Sequence, residues 1–177
     1  QITSLVMISW RKNYCTLKII STPEEIDELI AEGFDFSLHP NIYDVKRRIS
    51  KGAIAFCAFV GQDFAHITWV ALNKEAKRDI DVLPYAVDFP NNEVCSGASE
   101  TNPKYRRMGI YAYVYSKIFL FLSGEGLSID RFTISKDNIA SQNALAKFSP
   151  RIYAEGEYSK LLRRKFWKEQ PIQEVKQ

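Results

Sequence analysis

The chain has 177 residues, enough for one domain with a full core and little room for a second. Hydrophobic residues make up 46% and charged residues 25%, the composition of a globular domain rather than a disordered one. The formal net charge of +3 is too small to argue for nucleic acid, and it suits an anionic small ligand equally well.

Ser4–Trp10 and Thr16–Ile20 are rich in apolar and β-branched residues, with polar Arg11-Lys12-Asn13 between them, which predicts a β-hairpin. Thr22-Pro23-Glu24-Glu25 then opens a helix. Thr22 is the N-cap, Pro23 falls in the first turn and Glu25 completes a capping box. Ile26, Leu29 and Ile30 form its apolar face and Gly33 ends it, and a second short helix is predicted over Ile42–Ser50. Ala53–Val60 and Phe64–Leu72, joined by Gly61-Gln62-Asp63, predict an antiparallel pair near the sheet centre. Polar Asn73–Asp81 is expected to be a loop or an exposed connection.

Val94–Thr101 is the next strand, and Gly97 inside it suggests a bulge or a close backbone approach. Pro103 ends it. Gly109–Leu122 carries apolar residues at helical spacing, Ile129–Ser135 is a strand, and Asp137 or Asn138 caps a helix running to Phe148. Residues 151–168 predict a terminal hairpin. Strand-helix-strand implies a parallel crossover and the flanking hairpins imply antiparallel pairing, so a mixed α/β sheet is expected.

The spacing of Cys15, Cys57 and Cys95 fits no CxxC motif, which predicts reduced, mostly buried thiols in a cytoplasmic protein. The two histidines are not spaced as a metal site, so no metal is expected. No apolar run reaches the ~20 residues of a membrane helix, and Gln1–Trp10 lacks the pattern of a signal peptide. Arg163–Lys168 mixes aromatic and basic residues, but a terminal strand with a charged face explains it more simply than nucleic-acid binding.

The chemistry concentrates in Thr101–Tyr111. A strand ends, a basic turn follows, and a helix starts beside Gly109. Backbone N–H groups at a helix start lack intrahelical partners and carry the positive end of the dipole, so such a turn can cradle a phosphate. The spacing is neither GxxxxGK[ST] nor GxGxxG. A second strand and helix follow, placing a cleft at the carboxyl ends of two parallel strands.

Pro103, Arg106 and Gly109, with Asn138 and Ser141 about thirty residues on, resemble the motifs of the Gcn5-related N-acetyltransferase (GNAT) superfamily. The likeness runs from about Thr16 to Trp167 and is sharpest over Val94–Phe148. The resemblance implies a single domain over residues 1–177, with an N-terminal hairpin (4–20), a cofactor-binding core (93–148) and a C-terminal hairpin (151–168). It implies a mostly antiparallel mixed sheet, helices on both faces and a splayed parallel strand pair. It further implies transfer of an acetyl group from acetyl-coenzyme A to a primary amine of a small molecule, without metal, nucleic acid or membrane, by a monomer or homodimer. A longer acyl group, a protein acceptor or a non-catalytic acyl-CoA-binding module are the alternatives.

By the same resemblance Arg106, Arg107, Met108, Gly109, Ile110 and Tyr111 hold the pyrophosphate. Ser99 and Thr101 run beside the pantetheine arm, which Asn138 and Ser141 also meet. Three positions depart from the family pattern. Tyr111 replaces a small residue, Leu145 replaces a tyrosine that can protonate the leaving thiolate, and Ser149-Pro150 replaces Gly-Phe. An alkylamine is mostly protonated at neutral pH, so a base must act. Glu100, His66 and Glu93 are rival candidates. Glu93 and Glu100 fall on opposite strand faces unless a bulge near Gly97 resets the alternation.

Overall fold

The structure, a computed structural model, describes residues 15–36, 42–162 and 164–172. Among these residues five strands form the main sheet in the order β1-β2-β3-β4-β5, with β1 Thr16–Ile20, β2 Ala53–Val60, β3 Asp63–Ala71, β4 Glu93–Thr101 and β5 Ile129–Arg131. The first four pair antiparallel and β4 pairs parallel with β5. The partner strand expected over Ser4–Trp10 lies outside the described residues.

The helix α1 (Pro23–Ala31) forms as its capping residues dictate. Thr22 accepts from the Glu25 N–H and the Glu25 carboxylate accepts from the Thr22 N–H at 3.0 Å. Gly33, at φ 90°, reverses the chain after it. Ile26 and Leu29 are buried, whereas Ile30, expected on the same face, is exposed. The helix α2 (Ile42–Ser50) follows. Between Asn73 and Asp81 the structure corrects the sequence expectation. Lys74–Ile80 is a helix, α3, capped by the Asn73 side chain on the Ala76 N–H, and it buries only Ala76 and Ile80. Two apolar residues four apart are too short a pattern to stand out in a charged segment.

The sheet separates two apolar layers. Residues of α1, α2 and α3 pack with Cys57, Phe59, Phe64, Ile67 and Trp69 on one face. On the other, α4 (Ile110–Gly124) packs Ile110, Val114, Ile118 and Leu122 against Phe56, Val70 and Val94. Each such fully buried large side chain contributes about 1.5–3 kcal/mol. Cys57 and Cys95 are buried thiols, and burial pushes Cys95 up to about 12 while its hydrogen-bond neighbour Tyr85 acts in the opposite direction.

Two further corrections concern the second half. The strand expected over Ile129–Ser135 keeps only its first three residues, and the helix α5 covers Ile139–Leu145, giving way to a 3-10 turn over Ala146–Phe148. The C-terminal hairpin forms from β6 (Ala154–Leu161) and β7 (Arg164–Pro171) as a separate two-stranded sheet. Among the described residues no helix is long and apolar enough to cross a membrane.

Candidate active site

The cleft lies where β4 and β5 diverge. Their parallel pairing runs only from Glu93–Cys95 against Ile129–Arg131, so the rest of β4 leaves its neighbour. Part-way along β4 a bulge breaks its register with β3. Ile67 pairs with Glu100 and Trp69 with Gly97, so Ala98 and Ser99 together oppose Thr68. Ala98 takes φ 47°, a strained left-handed conformation for a residue with a Cβ. The sequence placed this irregularity at Gly97, one residue early.

The bulge resets the strand alternation. Cys95 belongs to the α1–α3 face, Val94 to the α4 face. Beyond the bulge Glu100 pairs with Ile67, a residue of the α1–α3 face, so Glu93 and Glu100 end on the same face of the sheet. They remain far apart along the strand and do different things. Glu93 accepts two hydrogen bonds from Arg131, at 2.6 and 2.5 Å, and one from the Asp88 N–H at 2.8 Å. The Arg131 guanidinium holds its carboxyl below the usual carboxylate range. Glu93 also lines a groove of about 310 Å³ at the end of β4 away from the cleft. Glu93 is a latch between β4 and β5, whereas Glu100 is exposed.

His66 is fully buried on the α4 face. Its Nδ1 is 2.7 Å from the Thr101 hydroxyl and its Nε2 is 2.7 Å from that of Thr68, which in turn lies 2.8 Å from the Ser99 hydroxyl. Burial brings the imidazole down to about 3, so it is neutral at physiological pH with both nitrogens occupied.

The basic turn is anchored by a residue that sequence reasoning passed over. Asn102 is buried. Its amide donates to the Phe64 carbonyl at 2.9 Å and its side-chain oxygen accepts from the Lys104 N–H at 3.0 Å. The Asn-Pro pair was the available signal, since that dipeptide favours turn initiation. Lys104 and the Tyr105 hydroxyl both reach Asp63, at 2.7 and 2.6 Å. Arg106 donates to the Thr101 carbonyl at 3.2 Å, and Arg106 and Arg107 are exposed. Arg107 adopts φ 64°, and Gly109 adopts φ 78° as the N-cap of α4 rather than a residue of its first turn. Gly109 is therefore favoured by its backbone conformation, which residues with a Cβ rarely adopt. Among the described residues no side-chain cap closes the start of α4, and the N–H groups of Ile110, Tyr111 and Ala112 have no acceptors within the helix. Met108 is exposed on the same turn.

On the other wall, Asn138 caps α5, its oxygen accepting from the Ser141 N–H at 3.1 Å. Tyr111 turns inward from α4. Its ring lies 5.5 Å from that of His66 and 5.1 Å from that of Tyr115. Burial raises the phenol, while neighbouring hydroxyls of Ser141, Tyr115 and Ser99 act in the opposite direction. Behind it Tyr115 lies 3.2 Å from the Ser96 hydroxyl, which donates to Asp130 at 2.7 Å. Burial pushes Asp130 up to about 7. Leu145 is fully buried. Among the described residues no cluster of metal-ligating side chains occurs.

No family model matches the sequence, and no curated protein matches it. The architecture is matched by solved structures. A possible acetyltransferase from Clostridium difficile 630 is 13% identical with a TM-score of 0.55, covering 86% of this chain and 100% of its own. The aminoglycoside antibiotic 6'-N-acetyltransferase AAC(6')-Ih from Acinetobacter baumannii is 14% identical with a TM-score of 0.52, covering 83% of this chain and 97% of its own. The chain has the GNAT acetyltransferase fold. AAC(6')-Iy, solved with the bisubstrate analogue CoA-S-monomethyl-acetylneamine, is 12% identical with a TM-score of 0.53 over 86% of this chain and 99% of its own. The GNAT features present here are the mixed sheet, its one parallel pair and the helices on both faces.

Proposed function

We propose that the chain is an acyl-CoA-dependent N-acetyltransferase acting on a primary amine of a small molecule. One observation carries this reading. An uncapped helix start, opened by left-handed Gly109 and flanked by exposed Arg106 and Arg107, stands beside two strands that diverge. The first feature suits a pyrophosphate and the second admits a narrow thioester arm between β4 and α5. In this reading the amides of Ile110 and Tyr111 and the arginines hold the phosphates, with Met108 covering them. Ser99, Thr101, Asn138 and Ser141 border the pantetheine.

A backbone N–H at the Ala98–Ser99 bulge, freed from the ladder, is placed to polarise the thioester carbonyl. Glu100 is the base we favour. Glu93 is held by Arg131, and His66, neutral and twice engaged, is a weak proton acceptor near pH 7. Glu100 is an exposed carboxylate beyond the bulge, able to draw a proton from an ammonium through water. The small-amine acceptor is supported by structural neighbours that are aminoglycoside acetyltransferases.

The test is release of thiol from acetyl-CoA in the presence of a panel of amines, namely sisomicin, neamine, spermidine and a lysine-containing peptide. We expect release with at least one small amine and none without protein. Absence of release across the panel, with acetyl-CoA shown to bind, would leave a binding module in place of an enzyme.

A further inference from the structure

We propose that Tyr111 is the proton donor to the leaving thiolate, a role that rests on the acyl-transfer reading above. The phenol stands between β4 and α5, with Ser99 at the bulge and Ser141 on α5 as neighbours and its ring against those of His66 and Tyr115. In the acyl-transfer reading, a thioester whose carbonyl rests on the bulge has its sulfur beside this phenol. The groups facing Tyr111 come from every neighbouring element: His66 from β3, Ser99 from β4, Tyr115 from α4 itself, Ser141 from α5 and, through Ser96 and Tyr115, Asp130 from β5. His66 is the ring nearest to it on the sheet side, and both imidazole nitrogens already have hydroxyl partners. Tyr111 is the phenol that stands between β4 and α5, and its O–H meets hydroxyls of Ser141, Tyr115 and Ser99, partners that a thiolate outcompetes as an acceptor.

The step balances with no further reactant. The neutral amine adds to the carbonyl carbon, forming the C–N bond and an oxyanion. As the oxyanion collapses the C–S bond breaks and its electron pair stays on sulfur. Sulfur takes the Tyr111 proton, and the phenolate recovers one from the nitrogen that has just become cationic. The products are the amide and the free thiol. Behind Tyr111, the chain Tyr115–Ser96–Asp130 gives the phenol a second route to a proton, because hydroxyls linked in series can pass one along.

The test needs no acceptor. Coenzyme A is bound to the wild-type protein, to Tyr111→Phe and to protein carrying 3-fluorotyrosine at position 111. The bound thiol is then titrated by the ultraviolet absorbance of its thiolate. Tyr111→Phe keeps the ring contacts with His66 and Tyr115 and loses only the donor. A phenol donating to sulfur stabilises the thiolate, so the thiol should titrate lowest in the fluorotyrosine protein, next in wild type and highest in Tyr111→Phe. The wild-type and Phe midpoints should differ by about one pH unit, a tenfold difference in the ionisation constant. Equal midpoints in three proteins that all bind coenzyme A overturn the proposal and leave the acyl-transfer reading standing. Failure of the wild type to bind coenzyme A overturns both.

Discussion

Asp130→Asn isolates the pH dependence hidden in the buried site. The Asp130 carboxyl lies at about 7 against an ordinary value of 3.8 because it is buried, with one oxygen on Ser96 and the other without a partner. Between those values the folded protein holds a proton that the unfolded chain has released. Stability from this group is full below 3.8 and falls as pH rises toward 7, by ~1.4 kcal/mol per pH unit and ~4 kcal/mol at most. His66 runs the other way. Its folded value of about 3 lies below the ordinary 6.5, so the unfolded chain binds the extra proton and stability is lost as pH falls from 6.5. Over the overlap the two slopes nearly cancel, and this pair leaves the wild type close to flat. Asparagine keeps a carbonyl for Ser96 and removes the titration, although its amide, buried without an acceptor, costs ~1–3 kcal/mol. The slope is therefore the readout rather than absolute stability. Urea unfolding between about pH 4.5 and 6 should give wild type little change and Asp130→Asn a rise of ~2 kcal/mol toward higher pH. Parallel curves for the two proteins would refute the reasoning.

Three other substitutions probe separate parts of the account. Glu93→Ala strands the Arg131 guanidinium between β4 and β5 and should destabilise the protein by about 3 kcal/mol in denaturant unfolding, leaving cofactor affinity nearly unchanged. Gly109→Ala places a Cβ at φ 78°, so thermal unfolding should report a loss of ~1–2 kcal/mol, and calorimetry should report weaker coenzyme A binding. Glu100→Gln should lower turnover and remove the rising acid limb of its pH profile at constant cofactor affinity, whereas His66→Gln should retain that limb. The reverse pattern would make His66 the base.

How much of this was legible in the sequence depended on whether the signal was local. The α1 capping box and the β2–β3 pair are local, and Thr22, Pro23 and Glu25 or Gly61 and Gln62 declare them. The basic turn was legible too, because Arg106, Arg107 and Gly109 are contiguous, but Gly109 proved to be a left-handed cap rather than a first-turn residue. The bulge was displaced by one position because glycine marks freedom, and the strained φ fell instead on Ala98. The partner of Glu93 lies 38 residues away on β5, and no spacing rule joins them. Tyr111 was readable only as a departure from a small residue. Its inward turn depends on the room left by Ser99, Ser141 and His66, which come from three other elements.

The most direct measurement of the central claim is calorimetric titration of the protein with acetyl-CoA, repeated with Arg106→Ala and Arg107→Ala and with adenosine in place of the cofactor. The expected result is saturable one-site binding of acetyl-CoA that weakens in both arginine variants and with added salt, a matching rise in melting temperature, and little response to adenosine. No binding at millimolar acetyl-CoA, or equal binding of adenosine, would contradict it.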